Sequence, residues 1–299
     1  DQGAAYWSRA NVNPYEEKKE LSTGIDRLIE FERPASAIEC LSVMLYQNQP
    51  INQDQAFAAL QLLVEGKEEQ SRRDAHAITN IIAALQKNPG TDQDKLLRVE
   101  WRYLSLLDGH HGPAPKTLER KISEDPQVFM DLIRLIFKSS ESEEKEEASK
   151  ERKEKAAHAY NLLKNWKTIP GIQPDGRFDE KKMLSWIAEV KSKGQDSGHL
   201  DVAMSNLGRV LAHSPADPSG LWILEPVAVV LNERDADSSR NGFSSELFNS
   251  RGAHWGSQGA EERILAEMYF EKANAVDKRG YQRLAATVRE LGNFYVRYA

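Results

Sequence analysis

The sequence predicts an all-α protein of stacked antiparallel helical hairpins, set out as a solenoid-like or two-lobed array. Three observations predict it. From about Leu28 to Tyr298, apolar residues recur at helical spacing in ten or more segments; Pro, Gly, Asp or Asn closes each segment; and no stretch holds the two-residue alternation of a strand. Short connections between segments favour antiparallel neighbours.

In chain order, the first apolar face is Ile38, Leu41 and Leu45 at i, i+3 and i+7, and Phe57, Leu60 and Val64 repeat it. Ile78, Ile81, Ile82 and Leu85 fill i, i+3, i+4 and i+7, a stripe broad enough to turn one side of a helix into core. Leu97, Trp101 and Leu104 keep the register, as do Phe129, Leu132, Ile133 and Ile136, and then Ala159, Leu162, Leu163 and Trp166. Met183, Ile187 and Val190 make a further face, followed by Leu200, Ala203, Met204, Leu207 and Leu211. The last segment, Leu284, Val288, Leu291, Tyr295 and Tyr298, alternates steps of four and three residues, a heptad-like seam. No fixed repeat length relates the segments, so no named repeat class follows.

Start and stop signals agree with these faces. Asn52 with Gln55, Ser71 with Asp74 and Thr91 with Asp94 each place a capping oxygen three residues before a polar or acidic group. Asp125-Pro126 and Asp217-Pro218 combine an N-cap with Pro at the first helical position, where its missing N–H costs nothing. Stops are expected at Asn88-Pro89-Gly90, Asp108-Gly109, Pro170-Gly171 and Lys193-Gly194.

Composition suggests a division into an N-terminal helical half at 1–140, a charged linker and helix start at 141–155, and a C-terminal helical half at 156–299. Between Ser139 and Lys155, twelve of seventeen residues are charged, with acids early and bases late, which suits an exposed segment running into a helix. Within the C-terminal half, 240–259 is rich in Gly and Ser and reads as an irregular loop. Exposed aromatics and forked or ring donors on a loop can anchor a partner, so Phe248, Arg251, His254 and Trp255 are the candidate partner-binding residues.

With 40% hydrophobic and 29% charged residues the chain can build a core, and a formal charge of −6 gives no general attraction to nucleic acid or anionic lipid. No apolar run reaches the ~20 residues that cross a bilayer, and a cytoplasmic location is expected. The start Asp1-Gln2-Gly3 is neither a signal peptide nor a natural initiation site, which suggests a piece of a longer protein. The single cysteine, Cys40, sits on an apolar face and reads as a buried thiol.

Reactive motifs are not found. None of the seven histidines belongs to the His-Glu-x-x-His helix motif that turns two imidazoles toward one zinc ion, and His110-His111 lie in a Gly- and Pro-rich loop. The phosphate-loop, dinucleotide and nucleophile-elbow patterns are missing too, so no cofactor is expected. The basic cluster Lys278, Arg279, Arg283 and Arg289 is diluted by Asp277 and Glu290, a poor pattern for nucleic acid.

LLRVEWRYLSLLD (96–108), SGHLDVAMSNLGRVL (197–211), FNSRGAHW (248–255) and YQRLAATVRELGNFY (281–295) resemble the carboxyl-terminal helical region of large, mostly uncharacterised bacterial multidomain proteins. That resemblance implies a bacterial helical module attached to other domains, and it carries no active site. The expectation is a non-catalytic interaction or scaffold module that binds a protein partner or regulates an attached domain. The alternative is an enzyme or small-ligand-binding domain with its site between helices.

Overall fold

The computed structural model describes residues 7, 12–13, 18–65, 72–107, 109, 112–139, 150–250 and 259–299. Among the described residues are fourteen α-helices and no strand, only an isolated antiparallel bridge between Ile172 and Phe178. The chain divides into two compact units, 1–119 and 120–299. No described helix is long and apolar enough to cross a membrane.

The first unit holds α1 (Lys18–Glu30), α2 (Pro34–Tyr46), α3 (Gln53–Glu65), α4 (Arg72–Lys87), α5 (Gln93–Arg102), a 3-10 turn at Leu104–Leu106, and the start of α6 (Lys116–Glu124). Its core joins Leu28, Leu41, Leu60, Ile78, Ile82 and Leu96, with the Cys40 thiol buried among them. Helix α2 packs on α4 as well as on its neighbour α3. Among the described residues, α1 (Lys18–Glu30) comes before the first apolar stripe read from the sequence.

Local chemistry explains the helix starts. Asn52 Oδ1 accepts from the amides of Asp54 and Gln55 at 2.8 and 3.3 Å, so it caps α3. The cap of α5 is Asp92, not Thr91: its carboxylate accepts from the amides of Asp94 and Lys95, while the Thr91 hydroxyl donates back to the Leu85 carbonyl at 2.8 Å and closes the preceding turn. Ser71 lies outside the described residues. In α5 the buried stripe is Leu96, Val99 and Tyr103, leaving Leu97 and Trp101 half-buried. Both stripes are apolar at helical spacing, and the Tyr103 hydroxyl, donating to the Leu60 carbonyl at 2.7 Å, holds α5 in the observed rotation against α3.

The second unit takes in the end of α6, then α7 (Pro126–Ile136), α8 (Lys150–Asn165), α9 (Glu180–Asp196), α10 (Leu200–Leu211), α11 (Glu225–Asn232), α12 (Asp237–Asn249), α13 (Ala260–Asp277) and α14 (Gln282–Arg297). Phe129, Trp166 and Trp186 form an aromatic triangle with ring centroids 5.1 to 6.1 Å apart. Both indoles are pinned: Trp166 Nε1 donates to Ser123 Oγ at 3.0 Å and Trp186 Nε1 to the Ile122 carbonyl at 3.1 Å. Because α7 thus shares a core with α8 and α9, the charged segment 141–155 falls inside the second unit, and the division comes earlier, at Glu119 and Arg120.

Two boundary signals act differently from their local reading. Asp217 does not start a helix at Pro218; its carboxylate accepts from the amides of Ser219 and Glu225, the latter at 3.0 Å, and so caps α11 from upstream. Helix α9 runs through Gly194 to Asp196, and the chain turns back at 197–199; Gly194 lets the start of the next helix pass close, since a Cβ there would lie 3.1 Å from Leu200 Cα.

The main correction concerns 240–259, expected to be a loop. Residues 240–249 belong to α12, which crosses α10 at backbone contact. A Cβ on Gly208 would lie 1.9 Å from the Ser239 carbonyl oxygen, and one on Gly242 would lie 1.9 Å from that of Ser205. The pairing of 205 with 242 and of 208 with 239 makes the two helices antiparallel. Arg240 is buried here, donating to the Leu231 and Glu233 carbonyls at 2.8 and 2.7 Å and to Asp237, so it satisfies the C-terminal end of α11. At the rim of the crossing, Glu246 accepts from His213 Nε2 at 3.1 Å and from Arg209 Nε at 3.3 Å.

The His213 hydrogen bond first, then the Arg209 charge, hold the Glu246 carboxyl below its ordinary value of 4.5 against the opposing effect of burial. A depressed carboxyl stabilises the fold above its unfolded pKa, and that contribution disappears as pH falls through the folded value. Glu246→Gln is therefore expected to lower stability at neutral pH and to flatten the acid side of a plot of stability against pH. Urea unfolding between neutral pH and pH about 3 measures this, since the window lies at and below the glutamate range. An acid limb as steep as that of the parent would remove this role.

Candidate functional site

Among the described residues, a groove between α3 and α5 of the first unit is lined by three cationic side chains. The groove has a volume of about 450 Å³; Phe57, Leu60, Val99 and Tyr103 line it, with Lys95, Arg98 and Arg102 along one side and Asp54 at one end. The spacing is helical: Lys95, Arg98 and Arg102 stand at i, i+3 and i+7 on one face of α5, and Val99 and Tyr103 come one position later, beside them and turned inward.

The three cations are not equivalent. Lys95 Nζ is 3.0 Å from Asp54 Oδ1 and 5.8 Å from the centre of the Phe57 ring, so its charge is partly answered. Arg98 and Arg102 are exposed and carry no ion pair among the described residues. Burial pushes the Tyr103 phenol well above its ordinary range, so it remains a neutral hydrogen-bond donor fixed to Leu60. Nothing in the groove is a nucleophile paired with a base. What it offers is recognition: apolar surface for a side chain beside two guanidinium forks for carboxylates.

Sequence reading missed this site because 92–102 is nearly neutral when its charges are summed along the chain. Three dimensions sort them. Asp92 and Asp94 sit in the first turn of α5, where Asp92 serves as the cap. Glu100 is fully buried on the far side, accepting from Gln86 Nε2 at 2.8 Å and from the amides of Thr117 and Leu118 at 3.2 and 2.8 Å. The three-residue and four-residue steps from Lys95 to Arg102 were the available signal.

Of the residues singled out from sequence, Arg251, His254 and Trp255 lie outside the described residues, and so do His110 and His111. Phe248 stands on α12 and not on a loop; it is 40% exposed, with its ring 5.0 Å from Phe294 edge-on and 5.9 Å from Tyr295 in a stack. It joins an aromatic row that locks α12 to α14. The basic cluster near the C-terminus is engaged: Arg279 pairs with Glu225, Arg283 donates to the Asn232 carbonyl, and Arg289 reaches Asp277 at 3.0 Å. Among the described residues no three His, Cys, Asp or Glu side chains gather as metal ligands would.

Comparison with known proteins finds no family model that matches this chain, and no match among curated proteins or solved structures.

Proposed function

We propose that this chain is a non-catalytic interaction module, part of a larger bacterial protein, and that its α3–α5 groove receives an acidic, amphipathic segment of a protein partner or of an attached domain. The observation that carries this reading is the pair of exposed guanidinium groups, Arg98 and Arg102, without an ion pair among the described residues, beside an apolar floor in a chain whose net charge is −6. An acidic helix with one apolar face complements both features: its carboxylates meet the arginines and its apolar side chain covers Phe57 and Val99.

The test is fluorescence anisotropy with two labelled helical peptides of identical apolar spacing, one flanked by Glu and the other by Lys. The acidic peptide is expected to bind, more weakly as salt is raised. The double variant Arg98→Glu, Arg102→Glu is expected to lose at least about tenfold in affinity, about 1.4 kcal/mol, while its thermal melting stays close to that of the parent, because both side chains are exposed. Equal binding of the two peptides, or a double variant that binds as the parent does, would remove the groove from consideration.

A further inference from the structure

Among the described residues that line the α3–α5 groove, Asp54 is the only carboxylate. It lies in the first turn of α3, where the capping oxygen belongs to Asn52, so the helix start does not depend on the Asp54 side chain. That side chain is 85% exposed, and its Oδ1 stands 3.0 Å from Lys95 Nζ. An ion pair so open to water contributes little to stability. Its consequence is for the groove, because it fills the place on Lys95 that a partner's carboxylate would take.

The cations of α5 fall into two groups. Lys95, Arg98 and Arg102 follow one another in steps of three and four residues, about 4.5 and 6 Å along the helix axis. Lys95 is answered twice, by Asp54 and by the Phe57 ring, whose centre is 5.8 Å away. Arg98 and Arg102 have no ion pair among the described residues. A partner helix lying along α5 places side chains four residues apart at the same step of about 6 Å, so two of its carboxylates meet both guanidinium groups together. One turn further along, a third carboxylate reaches Lys95 and Asp54 at once. The ammonium attracts it, the like charge repels it, and the two effects offset.

Resting on the acidic-helix reading of this groove, we propose that Asp54 determines its specificity. The partner is a helix that is acidic over a single turn, with two carboxylates facing Arg98 and Arg102 and an uncharged residue at the Lys95 end. A longer acidic face gains nothing further, since Asp54 already holds the third cation. Specificity is a difference of affinities, and here the repulsive group is built into the groove beside the attractive ones.

The experiment is fluorescence anisotropy of the whole chain with three labelled helical peptides that share one apolar face. One carries a pair of Glu residues four positions apart; the other two add a third Glu one turn further on, at either end. The parent is expected to bind all three within about twofold of one another, because the third carboxylate finds Lys95 taken. In Asp54→Asn one of the longer acidic peptides is expected to gain about fivefold over the two-Glu peptide, as Lys95 becomes available to it. Asp54→Glu keeps the carboxylate and should restore the parent pattern, and Lys95→Ala added to Asp54→Asn should abolish the gain. An equal gain for every peptide, a parent that already prefers the third Glu as strongly, or a gain that survives Lys95→Ala would overturn the role of Asp54 while leaving the groove in place. If no acidic peptide binds either the parent or Asp54→Asn, the groove reading falls and this inference with it.

Discussion

Gly208→Ala is expected to destabilise the second unit by roughly 3 kcal/mol, the upper part of the usual range for forcing atoms into filled space, and Gly242→Ala is expected to match it. The sign is the informative part. In an exposed helix the same change stabilises by up to about 1 kcal/mol, because Ala holds helical backbone better than Gly. At these positions the new methyl would lie 1.9 Å from a carbonyl oxygen of the facing helix, and backbone cannot rotate aside as a side chain can. The helices must separate along their whole contact, which also pulls Glu246 away from Arg209 and His213. Gly90→Ala serves as the control, since a Cβ there meets nothing closer than Asn88 Oδ1 at 3.5 Å. Thermal melting of the three variants decides: if Gly208→Ala or Gly242→Ala melts at or above the parent temperature, the close crossing is not present in solution.

Glu100→Ala carries the largest expected effect in the first unit, about 3–5 kcal/mol, because three buried donors lose their acceptor together. Three donors converge on this carboxylate, the Gln86 amide and the backbone N–H groups of Thr117 and Leu118. It therefore caps α6 from a distant helix, and its removal leaves those donors orphaned in a dry space. Glu100→Gln retains the volume and one acceptor oxygen and should fall between the parent and Ala. Amide hydrogen exchange at Thr117 and Leu118 localises the loss. Parent-like protection there in Glu100→Ala would show that water replaces the carboxylate at no cost.

The same residue has the opposite pH sign to Glu246. Burial raises the Glu100 carboxyl above 4.5 despite its hydrogen bonds from Gln86, Leu118 and Thr117. A raised carboxyl contributes stability that is complete below its unfolded pKa and lost as pH climbs through the folded value. The two glutamates therefore act in adjoining windows, one in each unit: Glu246 loses its contribution as pH falls below the unfolded glutamate value, and Glu100 loses its own as pH rises above it.

The helical faces were legible in sequence because burial follows periodicity: Ile78, Ile81, Ile82 and Leu85 are all buried, as are Phe129, Leu132 and Ile133. Caps were legible where the capping oxygen and its amides are neighbours, as at Asn52 and Asp125. They were not where the acceptor arrives from elsewhere, as with Asp217 on α11 and Glu100 on α6. Charges were misread for a related reason: a run of mixed sign along the chain becomes, on a helix, one face with three cations and another with a buried acid.

What the sequence determined by itself is the all-α class and most of its apolar stripes, since both depend on the order of side chains within a few turns. Tertiary structure decided the rest. Helix α12 contains Ser238, Ser239, Asn241, Gly242, Ser244 and Ser245, a composition that local propensity assigns to a loop. It is helical because α10 presents Ser205 and Gly208 at the matching height, and only small residues let two backbones come that close. A preference of a few tenths of a kcal/mol per residue yields to contact along a whole helix, and the residues that make this contact possible look, one at a time, like a turn.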